Sequence, residues 1–233
     1  MELTGPVERG LIGLNSTEWS FRVCPDLKCD IPVEKFIGEE SILLSEERAK
    51  QLAQDETPLG KEDLIRSLLT NAWREFNMGV LPSARQMVQM GEDHLDLKLL
   101  LTKQAAEEYL HSRIFLERAQ ELGASGNLTD FQPTEEDWEL SQINNDWDHP
   151  YEIAASLQCT GEVLLVAVLK NMMKTTDPIT VRLIKEQVLI HEGAHIQTGR
   201  KILERFAVTE EIQARVRAIR EEKYVLKERI VIA

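Results

Sequence analysis

From KEDLIRSLL onward, apolar residues recur at the 3.6-residue spacing of amphipathic helices. A first segment over about 61–80 aligns Leu64, Leu68, Ala72, Glu75, Met78 and Gly79 on one face, fading near Pro82 with helix able to resume before Gly91. A second, over about 93–122, runs Leu97, Leu100, Gln104, Glu108, His111, Phe115 and Leu122 along one stripe, with Asp93 as cap and Gly123 as stop. A third follows Pro150 with Tyr151, Ala155, Cys159, Glu162, Val166, Leu169 and Met173. The break TTDP at 175–178 leads into a fourth, over about 178–206, with Val181, Ile184, Val188, Glu192, His195, Gly199 and Ile202. A polar helix over about 209–224 and the apolar end RIVIA close the chain.

The remaining stretches lack such a period. Residues 1–58 mix Gly, Pro and short apolar pieces and read as an N-terminal extension packing on a helical domain at 59–233. Residues 123–149 are rich in turn formers and acids, too polar for a core strand, and long enough to cross from one end of a bundle to the other. These features predict an all-α chain, a four-helix bundle with a long crossover between its second and third helices.

Each stripe carries charge where apolar residues are expected, and the charges repeat. Glu75 is followed 33 residues later by Glu108-x-x-His111, and Glu162 is followed 30 residues later by Glu192-x-x-His195. The midpoints of the two intervals fall near Gly91 and at Asp177, both predicted turns. In a helical hairpin, residues equidistant from the turn lie at one level, so four carboxylates and two imidazoles converge inside the bundle. Ionised carboxylates buried without counter-charge cost several kcal/mol each, on the order of the penalty for any unpaired buried ion. Two divalent cations would neutralise four glutamates, and the donor set suits iron or manganese. Glu75, Glu108, His111, Glu162, Glu192 and His195 are therefore the candidate metal ligands, with Glu152 the next acid in the third segment should Glu162 not serve.

The stretch HEGAH at 191–195 admits a competing reading, since H-E-x-x-H is a zinc peptidase motif in which His191 and His195 hold the metal and Glu192 activates water. Its longer form is absent, and the reading leaves Glu75, Glu108, His111 and Glu162 without a role; Glu204 or Glu210 would have to supply a third ligand.

Composition narrows the partners. A formal net charge of -13 over 233 residues disfavours nucleic acid. Three cysteines (Cys24, Cys29, Cys159) do not make a disulfide framework. Cys24 and Cys29 lack a second pair or a nearby histidine to complete a zinc site. The N-terminus has no secretory pattern and no apolar run approaches the ~18 residues of a membrane span, so a cytoplasmic protein without membrane contact is expected.

At these residues the chain resembles ferritin-like non-haem di-iron carboxylate proteins. E-x-x-H-x-Q-x-G at 192–199, REFNMGVLP at 74–82 and EEYLHSRIFLERAQEL at 107–122 are similar to motifs of the catalytic subunit of the phenylacetyl-CoA epoxidase family, over about 61–206. The resemblance implies a ferritin-like bundle with two iron ions, or a manganese–iron pair, and dioxygen as co-substrate. It implies monooxygenase-like oxidation of a small organic or thioester-linked substrate, an external electron donor, and a homodimer or hetero-oligomer. It gives Glu108 and Glu192 the bridging role. Gln104 and Gln197 are candidates to support the ligands, and Trp73, Phe76, Tyr109 and Phe115 to line a pocket. A ferritin-like ferroxidase with the same ligands is the alternative, and the zinc peptidase a lesser one.

Overall fold

The computed structural model describes residues 59–232, with side chains through Lys223. The described residues form six helices and no strand. Helix α1 is continuous over 61–89 in three pieces, Lys61–Arg74, a π-helical turn Glu75–Val80, and Leu81–Gln89. Helix α2 is Leu95–Glu121, α3 Glu135–Asn145 and α4 Pro150–Met172, the last with a π-helical stretch Ala154–Gly161. Helix α5 spans 178–206 with a π-helical turn Ile184–Val188, and α6 is Glu210–Ile232.

The chain forms two hairpins, α1 on α2 and α4 on α5, which meet where α2 packs on α5 and the C-terminal end of α1 packs on the start of α4. The breaks at 90–94 and 173–177 lie at the turns marked by Gly91 and Asp177. Asp177 caps α5 by accepting from the Thr180 amide at 3.1 Å, and the Arg118 guanidinium on α2 donates to both of its carboxylate oxygens at 2.8 Å. That bidentate pair ties the second turn to the first hairpin. Gly123 ends α2 at φ 110°, a left-handed conformation in which a side chain would be strained.

Three expectations are corrected. Helix α1 does not fade at Pro82, because the ladder has just switched register through the π-helical turn and Pro82 falls in the first turn of the next α-helical piece, where its missing N–H is tolerated. Asp93 is not the cap of α2; it lies in a short 3₁₀ turn, Glu92–His94, that precedes the helix. The crossover is not wholly irregular, since it contains α3, started by Thr134, whose hydroxyl accepts from the Asp137 amide at 3.1 Å. Three acids in its first turn suit the helix N-terminus. Residues 1–58, including Cys24 and Cys29, lie outside the described residues.

Two apolar clusters fill the bundle. One joins Leu97, Leu100 and Leu101 of α2 with Ala154, Ala155, Cys159, Ile202 and Leu203, and Val216 and Ile219 of α6 cover it. The other joins Leu64, Leu68 and Ala72 with Phe115, Leu169, Ile184 and Val188. Along α2, α4 and α5, one cluster precedes the charged positions and the other follows them. A polar layer is thus held between two apolar ones, each fully buried Leu or Ile contributing about 1.5–3 kcal/mol. Helix α4 is long and apolar enough by length and composition to cross a membrane, and 78% of its apolar window is buried inside the protein.

Candidate metal centre

Glu75, Glu108, His111, Glu162, Glu192 and His195 are all buried, and they lie in the polar layer. Each histidine turns Nδ1 inward. Nδ1 of His111 is 3.8 Å from Glu75 Oε2, 3.5 Å from Glu108 Oε2 and 3.3 Å from Glu192 Oε1. Nδ1 of His195 is 3.1 Å from Glu108 Oε1 and 3.4 Å from Glu192 Oε2. Glu108 and Glu192 therefore each present one oxygen to each imidazole. Two sets of donors converge within 4.8 Å, Glu75 with Glu108 and His111, and Glu108 with Glu192 and His195.

Local structure brings this about. The i, i+3 spacing of Glu108 with His111 and of Glu192 with His195 stacks each pair on one helix face. Glu75 opens the π-helical turn of α1, and Glu162 directly follows that of α4. π-Helical turns inside α-helices occur frequently at functional sites. Gly79 lets α1 approach α2 here, for a Cβ at that position would sit 2.9 Å from Glu108 Cδ.

Several of these donor atoms lack a hydrogen bond. Glu75 Oε1, Glu108 Oε2, both oxygens of Glu192, and Nδ1 of His111 and of His195 are buried without a hydrogen bond. Buried polar atoms are nearly always satisfied, so six unsatisfied atoms on five neighbouring side chains need another explanation. Burial drives the Glu75 and Glu162 carboxyls well above the ordinary carboxylate range, with Glu108 and Glu192 adding to it. Burial would lower His111, but Glu108 and Glu75 push it up to about 10; His195 is likewise raised by Glu108 and Glu192 against burial. Burial opposes ionisation of Glu108 too, yet the two imidazoles hold its carboxyl well below the usual range. These groups share protons where cations would serve as well, and carboxylate and imidazole donors of this kind could hold a metal ion.

A second ring of groups surrounds the first. His195 Nε2 is 3.1 Å from Glu107 Oε2, and Glu107 Oε1 is 3.1 Å from Lys103 Nζ and 3.5 Å from His191 Nε2. His191 Nδ1 is 2.9 Å from His111 Nε2. An imidazole ligating through Nδ1 carries its proton on Nε2, where Glu107 and His191 stand as acceptors. Burial and the neighbouring imidazoles lower His191 to about 4, against the pull of Glu107, which keeps it neutral and able to accept. Glu107 was legible only as the residue before the Glu108 motif; nothing in its own spacing marks it.

No family model, no curated protein and no solved structure matches the chain. Of the other sequence candidates only Gln104 reaches the centre. Gln197 is exposed on the far side of α5, whereas Gln104 is buried and donates to Glu108 Oε1 and Glu162 Oε1, both at 3.1 Å. Glu152 accepts from the Asp148 and His149 amides and pairs with Arg215, so it is engaged at the start of α4. Of the pocket candidates, Tyr109 is exposed, Trp73 packs with Trp138 and Leu140, and Phe115 belongs to the second apolar cluster; Phe76 is half-buried.

Proposed function

We propose that the protein is a ferritin-like non-haem di-iron carboxylate enzyme that uses dioxygen to oxidise a small organic or thioester-linked substrate. The observation that carries this reading is the pair of donor sets sharing Glu108, with Glu192 turned toward both imidazoles. Glu75, Glu108, Glu192 and His111 would hold one ion; Glu108, Glu162, Glu192 and His195 the other. Two Fe(II) ions would balance four carboxylates, and when bound they supply two-electron reduction of dioxygen. In the hydroxylation form, one oxygen atom enters the C–H bond and the other leaves as water, with two electrons from an external donor and two protons.

The chain's own residues set the conditions. The apolar clusters above and below the layer exclude water from the reacting atoms. Glu107 and His191 fix the imidazoles with Nδ1 inward, and Gln104 holds two of the carboxylates. The zinc peptidase reading is disfavoured by His191, whose Nδ1 faces His111 and whose Nε2 faces Glu107, leaving it outside both donor sets.

The test is anaerobic loading with Fe(II), followed by oxygen exposure with and without a chemical reductant. A di-iron enzyme shows a ligand-to-metal absorption change with the loaded ions retained, and repeated oxygen uptake once reductant is present. Continued uptake of added iron into a mineral would assign a ferroxidase, and peptide hydrolysis by a one-zinc form would assign the peptidase.

A further inference from the structure

Three buried glutamines form a ladder that ends on the donor groups. Gln86 of α1 donates through Nε2 to the Pro150 carbonyl at 2.6 Å. Its Oε1 accepts from Gln158 Nε2 of α4 at 2.8 Å, and the same Nε2 donates to Gln104 Oε1 of α2 at 3.3 Å. Gln104 Nε2 then donates to Glu108 Oε1 and Glu162 Oε1. All three residues are buried, at 0–1% exposure, so no water competes for these amides.

The ladder has one polarity. A flipped Gln158 amide would set its oxygen against the oxygens of Gln86 and Gln104, and a flipped Gln104 would set its oxygen against two carboxylates. A backbone carbonyl, which cannot flip, anchors the far end. Gly199 of α5 presses on the middle rung so closely that a Cβ there would be 2.3 Å from Gln158 Cβ.

This support falls on one side of the centre. Glu108 Oε1, which receives the amide, is the oxygen near His195; Oε2, near His111, receives none. Gln104 stands four residues before Glu108, and the residue four before Glu192 is Val188, a member of the second apolar cluster. The doubled pattern therefore has an amide at one position and an isopropyl group at its counterpart.

We propose that Gln104, held in one orientation by Gln158 and Gln86, is a positioning residue that makes the two ion positions unequal, orienting Glu108 and Glu162 toward the position beside His195. The two divergent N–H bonds of this one amide nitrogen tie the Glu108 and Glu162 carboxyl groups together at a set separation before an ion arrives. This inference rests on the two-ion reading above.

The test is Mn(II) binding to the whole chain, with free ion counted by its paramagnetic resonance signal. The native chain is expected to bind two ions in distinguishable steps. Gln104→Met, of similar length but without a donor, should leave one ion bound as before and weaken the other by about 10- to 100-fold, the usual effect of losing a group that supports a ligand. In the His195→Ala background the same substitution should add nothing, because the position it serves is already lost. Should Gln104→Met fail to fold, Gln158→Met carries the test, since it keeps both amide–carboxylate contacts and removes only the orientation; a smaller loss confined to the same ion is expected. Native-like binding of both ions in the variant that folds, or equal weakening of both, would overturn the proposal while leaving the two-ion reading intact. Fewer than two ions on the native chain would instead overturn that reading.

Discussion

The α1–α2 hairpin and the α4–α5 hairpin carry the same charged pattern, but they are built differently. Helix α2 is uninterrupted from Leu95 to Glu121, whereas both helices of the second hairpin contain π-helical turns. The residue before the first E-x-x-H pair is Glu107, and before the second it is His191. Each serves the opposite hairpin: Glu107 meets His195, and His191 meets His111. Gln104 of the first hairpin likewise reaches Glu162 of the second. The set of Glu75, Glu108 and His111 lies within the first hairpin, whereas the set of Glu108, Glu192 and His195 exists only once the two hairpins have packed.

The strongest contrast lies between groups facing both imidazoles and groups facing one. Glu108→Ala or Glu192→Ala should abolish binding of both ions, while Glu75→Ala and Glu162→Ala should each remove one, as measured by metal content after gel filtration. Equal losses in all four variants would dissolve the distinction between shared and single donors.

Close approach differs next. The Cβ of Gly199→Ala would meet Gln158 Cβ, which is fixed to its backbone, whereas that of Gly79→Ala would meet the movable end of Glu108. Overpacking at Gly199 should cost about 1–3 kcal/mol and lower the thermal midpoint by several degrees, roughly 2–4 °C per kcal/mol. Gly79→Ala should cost less stability and more metal affinity. The reverse order of melting temperatures would count against the packing described for α4 and α5.

His191→Ala and Glu107→Ala should each weaken one ion by about 10- to 100-fold without removing a ligand. They should act on opposite ions, His191 on the one beside His111 and Glu107 on the one beside His195, and combining each with His111→Ala or His195→Ala checks the assignment. Additivity between Glu107→Ala and His195→Ala would contradict their contact.

A further effect is in pH. A histidine raised from 6.5 to about 10, as His111 is, contributes stability to the metal-free protein that is complete below the unfolded value and lost as pH rises through the folded one. Between about pH 6.5 and 10 the metal-free protein should melt progressively lower, and the midpoint gained on adding Mn(II) anaerobically should widen, since bound ions displace those protons. A metal-induced shift that is constant over this window would remove the imidazoles from the linkage.

Much of this was legible because physics forbids the alternative. Glu75, Glu108, Glu162 and Glu192 stand on apolar stripes, where a charge without a partner is costly, and Gly91 and Asp177–Pro178 mark turns by their backbone preferences. Glu107 was not legible, because an acid one residue off the stripe reads as solvated until its partner on another helix is known. Helix α3 was obscured by its acids, although Thr134 and the acidic first turn were the signal. Gln104 and Gln197 looked equivalent; only packing buries one and exposes the other. The π-helical turns leave no mark in a pattern counted at 3.6 residues per turn.

The most direct measurement is the number of ions per chain after anaerobic loading with Fe(II) and removal of excess metal, on the native protein and on Glu108→Ala, His111→Ala and His191→Ala. Two ions are expected on the native chain, none on Glu108→Ala, at most one on His111→Ala, and two at saturating metal on His191→Ala. A single ion, indifferent to Glu108 and His111 but lost with His191, would contradict the di-iron proposal and return HEGAH to zinc.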